Sequence, residues 1–244
     1  MRLSYQLYTS RDAGPLNQTL AMLGQAGLDH VEGYEALLGD PALDAGLRQH
    51  GLSMPSAHVS LAALEYGRAL DWASRYALEA VFVPYLPPDA RPTDAPGWAA
   101  LARRVVASGA DLRGLGVAVG WHNHDFEFAP LPDGRAPVAV MAEAAPDLVF
   151  ELDLGWIARA GHAPLAWIDL LRGRIAAAHI KDLAAPGQAP DEEGWADLGQ
   201  GVLDYAAIAA ALRAAQVPLW VLEHDRPSDA TRFATRSVAA ARAL

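Results

Sequence analysis

The chain has 244 residues, 52% of them hydrophobic and 20% charged, enough for one large core and a single domain over residues 1–244. Its formal net charge is −10 and it has no basic stripe to displace counterions, which disfavours nucleic acid as a partner. With no cysteine, neither a disulfide framework nor a thiolate metal site can form, which suits a reducing compartment.

Residues 1–8 lack the apolar stretch of a signal peptide. No apolar run approaches the roughly 18–20 residues of a membrane span. The expectation is a cytoplasmic protein without a membrane partner. Arg2–Thr9 alternates Leu3, Tyr5 and Leu7 with polar residues and reads as a first strand. Pro15 to Ala26 carries leucines at helical spacing and closes at Gly27. His30–Tyr34 is a short second strand. Asp40-Pro41 reads as an N-cap followed by proline in the first turn, opening a helix that ends at Gly51.

Leu52–Ser60 is a third strand, Leu61–Tyr76 an amphipathic helix, and Glu79–Leu86 a fourth strand stopped by Pro87-Pro88. Pro92–Arg113 is a loop and a long helix. Val117–Glu127 is a fifth strand with its loop, followed by a turn at Pro132-Asp133-Gly134 and a helix over Pro137–Ala145. Leu148–Leu154, Ile175–Lys181 and Leu219–Glu223 are the sixth, seventh and eighth strands. Helices are expected at Pro164–Leu171, from Asp204 to Gln216, and from Ser228-Asp229 to the end. Ala184–Gly201, rich in glycine, proline and acid, is a long loop, and its Asp191–Asp197 segment has the composition of a lid. Strands that alternate with helices in eight units of about 30 residues predict an α/β fold, a (β/α)8 TIM barrel with its active site at the C-terminal strand ends.

Four consecutive strands end in metal-ligand chemistry. Glu127, Asp153, His179 and Glu223 each follow an apolar run, and a barrel brings such ends together. Alone, each of these residues is more often a cap or a solvated group. Together they make one divalent-metal site, because burying the carboxylates without a cation costs several kcal/mol. Mixed carboxylate and imidazole ligands suit Mn²⁺ best, with Co²⁺, Zn²⁺, Fe²⁺ or Mg²⁺ as alternatives. The fifth-strand ligand stays open. Glu127 would add a carboxylate facing Glu223 and so an acid/base pair. Alternatively His122 or His124, which share one strand face, binds the metal and Glu127 stands behind it.

The segments Trp-His-Asn-His-Asp-Phe-Glu-Phe (121–128), Glu-Leu-Asp-Leu-Gly-Trp (151–156), Ala-His-Ile-Lys-Asp (178–182), Leu-Gly-Gln-Gly-Val-Leu-Asp-Tyr (198–205) and Val-Leu-Glu-His-Asp (221–225) resemble the sugar phosphate isomerase/epimerase family, with its xylose isomerase-like barrel. The resemblance implies a metal held by Glu127, Asp153, His179 and Glu223, with the two glutamates as catalytic acid and base on opposite sides of a small sugar or keto-sugar, phosphorylated or not. It implies an enediolate mechanism. An epimerase or isomerase returns the proton to the substrate, whereas a lyase of the same family, an inosose-type dehydratase or a keto-glycoside eliminase, protonates a leaving group. A non-catalytic sugar-binding barrel is the third reading. The family often forms homo-oligomers.

One position departs from the 3-epimerases, which carry a histidine where this chain has Trp156, a residue suited to stacking on a sugar ring. Abasic-site endonucleases of related fold need a larger histidine set than this chain has. His58, His122, His124, Trp156 and Lys181 are the candidate substrate-binding residues. For each the bland alternative is a loop histidine, a core tryptophan or a rim ion pair with Asp182. Gln6 and Tyr8 could close the pocket and Glu32 could bond a sugar hydroxyl. Trp121 and Trp195 could stack on a sugar, and Gly199 and Gly201 could cradle an anion, although core packing and a plain turn account for them as well.

Overall fold

A computed structural model describes residues 1–244. Seven strands come first: β1 (Arg2–Tyr5), β2 (His30–Tyr34), β3 (Ser53–His58), β4 (Ala80–Val83), β5 (Ala118–His122), β6 (Val149–Asp153) and β7 (Ile175–His179). A two-stranded antiparallel hairpin, β8 (Asp182–Leu183) and β9 (Trp195–Ala196), separates them from β10 (Leu219–Leu222). The large sheet runs β1-β10-β7-β6-β5-β4-β3-β2 with every pair parallel, and a parallel bridge from Gln6 to Glu32 joins its first and last strands. This is the expected eight-stranded TIM barrel, with helices around the outside.

Two apolar layers hold it. The larger lies between strands and helices and takes the outward residues, among them Val31, Val81, Val119, Leu152, Trp220 and Leu222. The smaller, built from Ala80, Phe82, Ala177, Leu219 and Val221, fills the barrel below the polar strand ends. Gly120 belongs with this inner layer. A Cβ there would lie 2.7 Å from both the Phe82 ring and the Val149 carbonyl, so glycine makes room for the phenylalanine.

Helix starts follow the sequence chemistry. Asp40 accepts from Ala42 N–H ahead of the helix Pro41–His50, which Gly51 ends at φ 66°, and Asp204 and Asp229 cap the helices Tyr205–Ala214 and Ala230–Ala243. Other expectations are corrected. The helix over 61–76 is two helices, Leu61–Glu65 and Arg68–Tyr76, because Gly67 takes the left-handed region at φ 74°. The first strand stops at Tyr5, where the Gln6 side chain accepts from Tyr8 N–H and starts a 3-10 turn, Leu7–Ser10. The fifth strand ends at His122, and Glu127 lies in a separate 3-10 turn, Phe126–Phe128. A helix over Leu154–Arg159, directly after β6, has too few residues to show a period. No helix is long and apolar enough to cross a membrane.

Candidate metal centre and cavity

Alternation along the strands puts Gln6, Glu32, Ser56, His58, His122, Glu151, Asp153 and His179 on the inward face at the C-terminal end of the barrel. They form two layers that meet at His179.

In the deeper layer, Glu151 Oε2 lies 2.5 Å from His58 Nε2, 3.0 Å from His122 Nδ1 and 3.2 Å from His179 Nε2. Glu32 Oε1 accepts from Gln6 Nε2 at 2.8 Å and stands 2.7 Å from His179 Nε2, while Ser56 Oγ donates to Glu32 Oε2 at 2.5 Å. Burial and the neighbouring Glu151 push Glu32 up. Burial would raise Glu151 too, but the imidazoles of His179, His58 and His122 outweigh it and hold that carboxyl well below its usual range. Glu151 thus faces three imidazoles, and Glu32 shares two of them, His179 and His58, but also takes the neutral donors Gln6 and Ser56.

The upper layer opens into the cavity. His179 Nδ1 lies 3.7 Å from Asp153 Oδ2 and 3.8 Å from Glu223 Oε2, and Lys181 Nζ contacts Glu223, Asp225 (2.5 Å) and Asp153 (3.4 Å). Burial opposes ionisation of Glu223, but Lys181 and His179 hold it well below the usual carboxylate range. Burial, followed by the charge of Glu223, pushes Asp225 up to about 7. Local backbone chemistry aims these groups. Asp153 Oδ1 caps the helix Leu154–Arg159 by accepting from Trp156 N–H at 2.9 Å, leaving Oδ2 for the site. Asn123 staples β5 to β6 by accepting from Asp153 N–H at 3.1 Å and donating to its carbonyl at 3.3 Å. Tyr205 Oη donates to the Lys181 carbonyl at 2.7 Å. Gly155 lets the helix pack on the same segment, since a Cβ there would sit 2.8 Å from that oxygen.

A metal fits this upper layer. His179 Nδ1 is buried with no hydrogen-bond partner, and the neighbouring Glu223 Oε2 is met only by the Lys181 ammonium. Separations of 3.7 and 3.8 Å are too long for hydrogen bonds. They are near the roughly 3–3.6 Å between ligand atoms sharing one ion at bond lengths of 2.0–2.2 Å. Asp153, His179 and Glu223 therefore converge as expected. Glu127 does not. Its Oε1 accepts from Trp121 Nε1 and its Oε2 from His124 N–H, both at 2.9 Å, and it belongs to neither group of candidate ligands. Strand β5 ends too early to carry it inward, and the following turn folds it back onto its own loop.

The cavity of about 440 Å³ is lined by His58, His122, His124, Trp156, Lys181 and Glu223 among others. Trp156 packs at 5.3 Å from the His124 ring and 4.8 Å from the buried Trp195. Trp195 in turn lies 4.4 Å under Lys181 Nζ, and Trp121 is core, spent on Glu127. The glycines at 199 and 201 do cradle an anion, but it is the chain's own. Asp182 accepts from the N–H groups of Leu183, Gly199, Gly201 and Leu203. The acidic loop is tied down by Glu192 and Asp197, both bonded to Arg232. Glu151 and Asp225 are the participants that sequence reasoning left without a role. Glu151 had a signal, its two-residue offset from Asp153.

No family model matches the chain, and no curated protein matches it in sequence. Solved structures do. A sugar phosphate isomerase/epimerase from Parabacteroides distasonis superposes with a TM-score of 0.81 at 18% identity, covering 98% of this chain and 92% of that one. The fold they share with this chain is the (β/α)8 TIM barrel. A probable 3-DHS dehydratase, AsbF from Bacillus anthracis, matches this barrel with a TM-score of 0.76 at 13% identity over 99% of both chains. The IOLI protein with a binding zinc atom matches with a TM-score of 0.77 at 16% identity, covering 100% of this chain and 96% of that one.

Proposed function

We propose that the chain is a divalent-metal-dependent isomerase or epimerase of a small sugar or keto-sugar. The observation that carries this is His179. One ring nitrogen rests on Glu32 and Glu151, and the other stands without a partner between Asp153 and Glu223. A carboxylate behind one nitrogen is the usual way a protein aims the other at a metal. His122 has Nδ1 on Glu151 too but belongs to the deeper group, so Asp153, His179 and Glu223 are the three protein ligands that would hold the ion. Mn²⁺, Co²⁺ and Zn²⁺ all suit such ligands, and the zinc of the IOLI protein is in keeping with this. A divalent ion held there would polarise a substrate carbonyl and its neighbouring hydroxyl.

The protein's own groups divide the rest. Glu223, kept ionised at the cavity wall, takes the proton α to the carbonyl. Lys181, held by three carboxylates, stabilises the negative charge that develops on oxygen. Trp156 offers an indole face to a sugar ring. A lyase is the second reading, favoured by the departure of Glu127. With Glu127 turned away, the proton carriers left in the cavity beside Glu223 are Asp225, pushed up to about 7, and the imidazoles of His58 and the unpartnered His124. One base and one weak acid suffice for an elimination.

The test is calorimetric titration of chelator-stripped protein with Mn²⁺, Co²⁺ and Zn²⁺, followed by proton exchange of keto-sugars in D₂O. One-to-one binding at micromolar or tighter affinity is expected, weakened at least about 100-fold in Asp153→Ala and His179→Ala and unchanged in Glu127→Gln. Failure of the wild type to bind any of these ions would remove the metal-dependent reading. Exchange with inversion and without loss of water or aglycone would remove the lyase.

A further inference from the structure

A phosphorylated sugar needs a free cation or a set of free N–H donors where its phosphate lies. This cavity offers neither. Lys181 is its one lining ammonium or guanidinium group, and Glu223, Asp225 and Asp153 share it. The imidazoles of His58 and His179 are turned onto Glu32 and Glu151. Arginines near the rim are committed elsewhere. Arg11 donates to the carbonyls of Tyr8 (3.0 Å) and Asp225 (2.7 Å), and Arg68 pairs with Glu35 at 2.9 Å. Arg91 donates to the Leu86 carbonyl and lies 3.5 Å over the Phe126 ring. The glycine amides that could have taken a phosphate are occupied by Asp182. Three carboxylates, Glu35, Glu223 and Asp225, line the cavity instead.

The mouth is aromatic. Tyr8 follows β1 and is 42% exposed, and Tyr85 follows β4 and is 47% exposed. Tyr34 stands edge-on to Tyr8 at 5.3 Å, and Val59 and Pro84 complete an apolar wall. The volume of about 440 Å³ lies in the range that encloses a drug-sized ligand, more than one sugar ring fills.

We propose that the site takes an uncharged, unphosphorylated sugar carrying an aromatic substituent. The sugar ring meets the polar strand ends, and the substituent lies among Tyr8, Tyr34 and Tyr85. This rests on the cavity being a site of sugar chemistry.

The test uses the full chain loaded with Mn²⁺ and three sets of probes: 4-nitrophenyl glycosides of glucose, galactose and xylose, the same free sugars, and their monophosphates. Binding is followed by calorimetry. The expected order is an aryl glycoside about tenfold tighter than its free sugar, and the phosphate at least about tenfold weaker than the free sugar because it meets like charge. Tyr8→Ser with Tyr85→Ser is expected to erase the aryl advantage and leave Mn²⁺ binding unchanged. A monophosphate that binds as tightly as its free sugar, or tighter, overturns this proposal and leaves the sugar reading intact. So does an aryl group that adds nothing. If no sugar of any kind binds while Mn²⁺ does, the sugar reading and this proposal fall together.

Discussion

The two sides of the His179 ring belong to two differently built halves of the polar layer. On the Nε2 side, Glu32 and Glu151 are met by Gln6, Ser56, His58 and His122 at hydrogen-bond distances. On the Nδ1 side, Asp153 and Glu223 stand too far from the ring to bond it, and Lys181 serves three carboxylates at once. The deep half is nearly complete, with Glu151 Oε1 its one unpartnered carboxylate oxygen, and the shallow half is short of positive charge. In physical terms the deep half is built for stability and ring orientation, and the shallow half for a ligand. Buried ion pairs cost most when one partner is removed, so the two halves should respond to mutation differently.

The largest effect follows from the deep half. Glu151→Ala leaves three imidazoles crowded together with no carboxylate between them, and about 3–5 kcal/mol of stability is expected to go. Asp153→Ala loses a helix cap but relieves an excess of negative charge, and about 1 kcal/mol is expected. Urea unfolding of the metal-free proteins measures both. Equal losses, or a larger loss in Asp153→Ala, would erase the distinction between the halves.

Glu127 sharpens the comparison from outside. It is buried like the others but rests on two neutral N–H donors, and burial pushes its carboxyl up to about 8 despite the Trp121 bond. Glu127→Gln turns one acceptor oxygen into a donor group facing Trp121 or the His124 amide, a loss of about 1–3 kcal/mol. The folded carboxyl holds its proton up to about pH 8, while the unfolded one releases it near 4.5. This group's contribution is therefore fully present below about pH 4.5 and is lost as the pH rises to about 8. The deficit of Glu127→Gln should be largest at about pH 4.5 and below and shrink toward pH 8, with metal affinity unchanged. A deficit that grows with pH would mean that Glu127 is ionised in the native protein.

These contrasts also explain which parts of the molecule were legible in the chain. Asp153, His179 and Glu223 could be found because each is a polar residue with inward parity at the end of an apolar strand, and a barrel gathers such residues whatever its loops do. The same parity rule points at His122 and Glu151, but Glu151 sits inside an apolar run, where a carboxylate makes sense only once three histidines from other strands surround it. Glu127 misled because its place depends on where β5 stops. That stop is followed by a turn held by the bonds from Trp121 and His124 to the glutamate itself, local side-chain bonds that strand alternation does not show. The helix Leu154–Arg159 was hidden for a related reason, since Asp153 serves both as its cap and as a site carboxylate.

The smallest effect tests how the shallow half is carried. Lys181 is followed at once by Asp182, whose two oxygens gather four N–H groups from residues 183 to 203 and so close the loop that packs Trp195 under the lysine. Gly201 is required there, since a Cβ would come within 2.4 Å of the Asp182 carboxyl carbon. Asp182→Asn keeps one oxygen and turns an amide toward the donors that the other oxygen served. Oδ2 takes Gly199 and Gly201, and Oδ1 takes Leu183 and Leu203, so either orientation of the amide abandons one of these pairs. The expected cost is about 1–2 kcal/mol. It should be confined to the loop, because the barrel strands do not depend on these bonds. Hydrogen exchange should quicken about tenfold at Gly199, Gly201 or Leu203 and stay unchanged in β6 and β7. Uniform quickening through the barrel would make the loop part of the global folding unit. No quickening would mean that Tyr205 and the Arg232 pairs hold the loop, and with it Lys181, without Asp182.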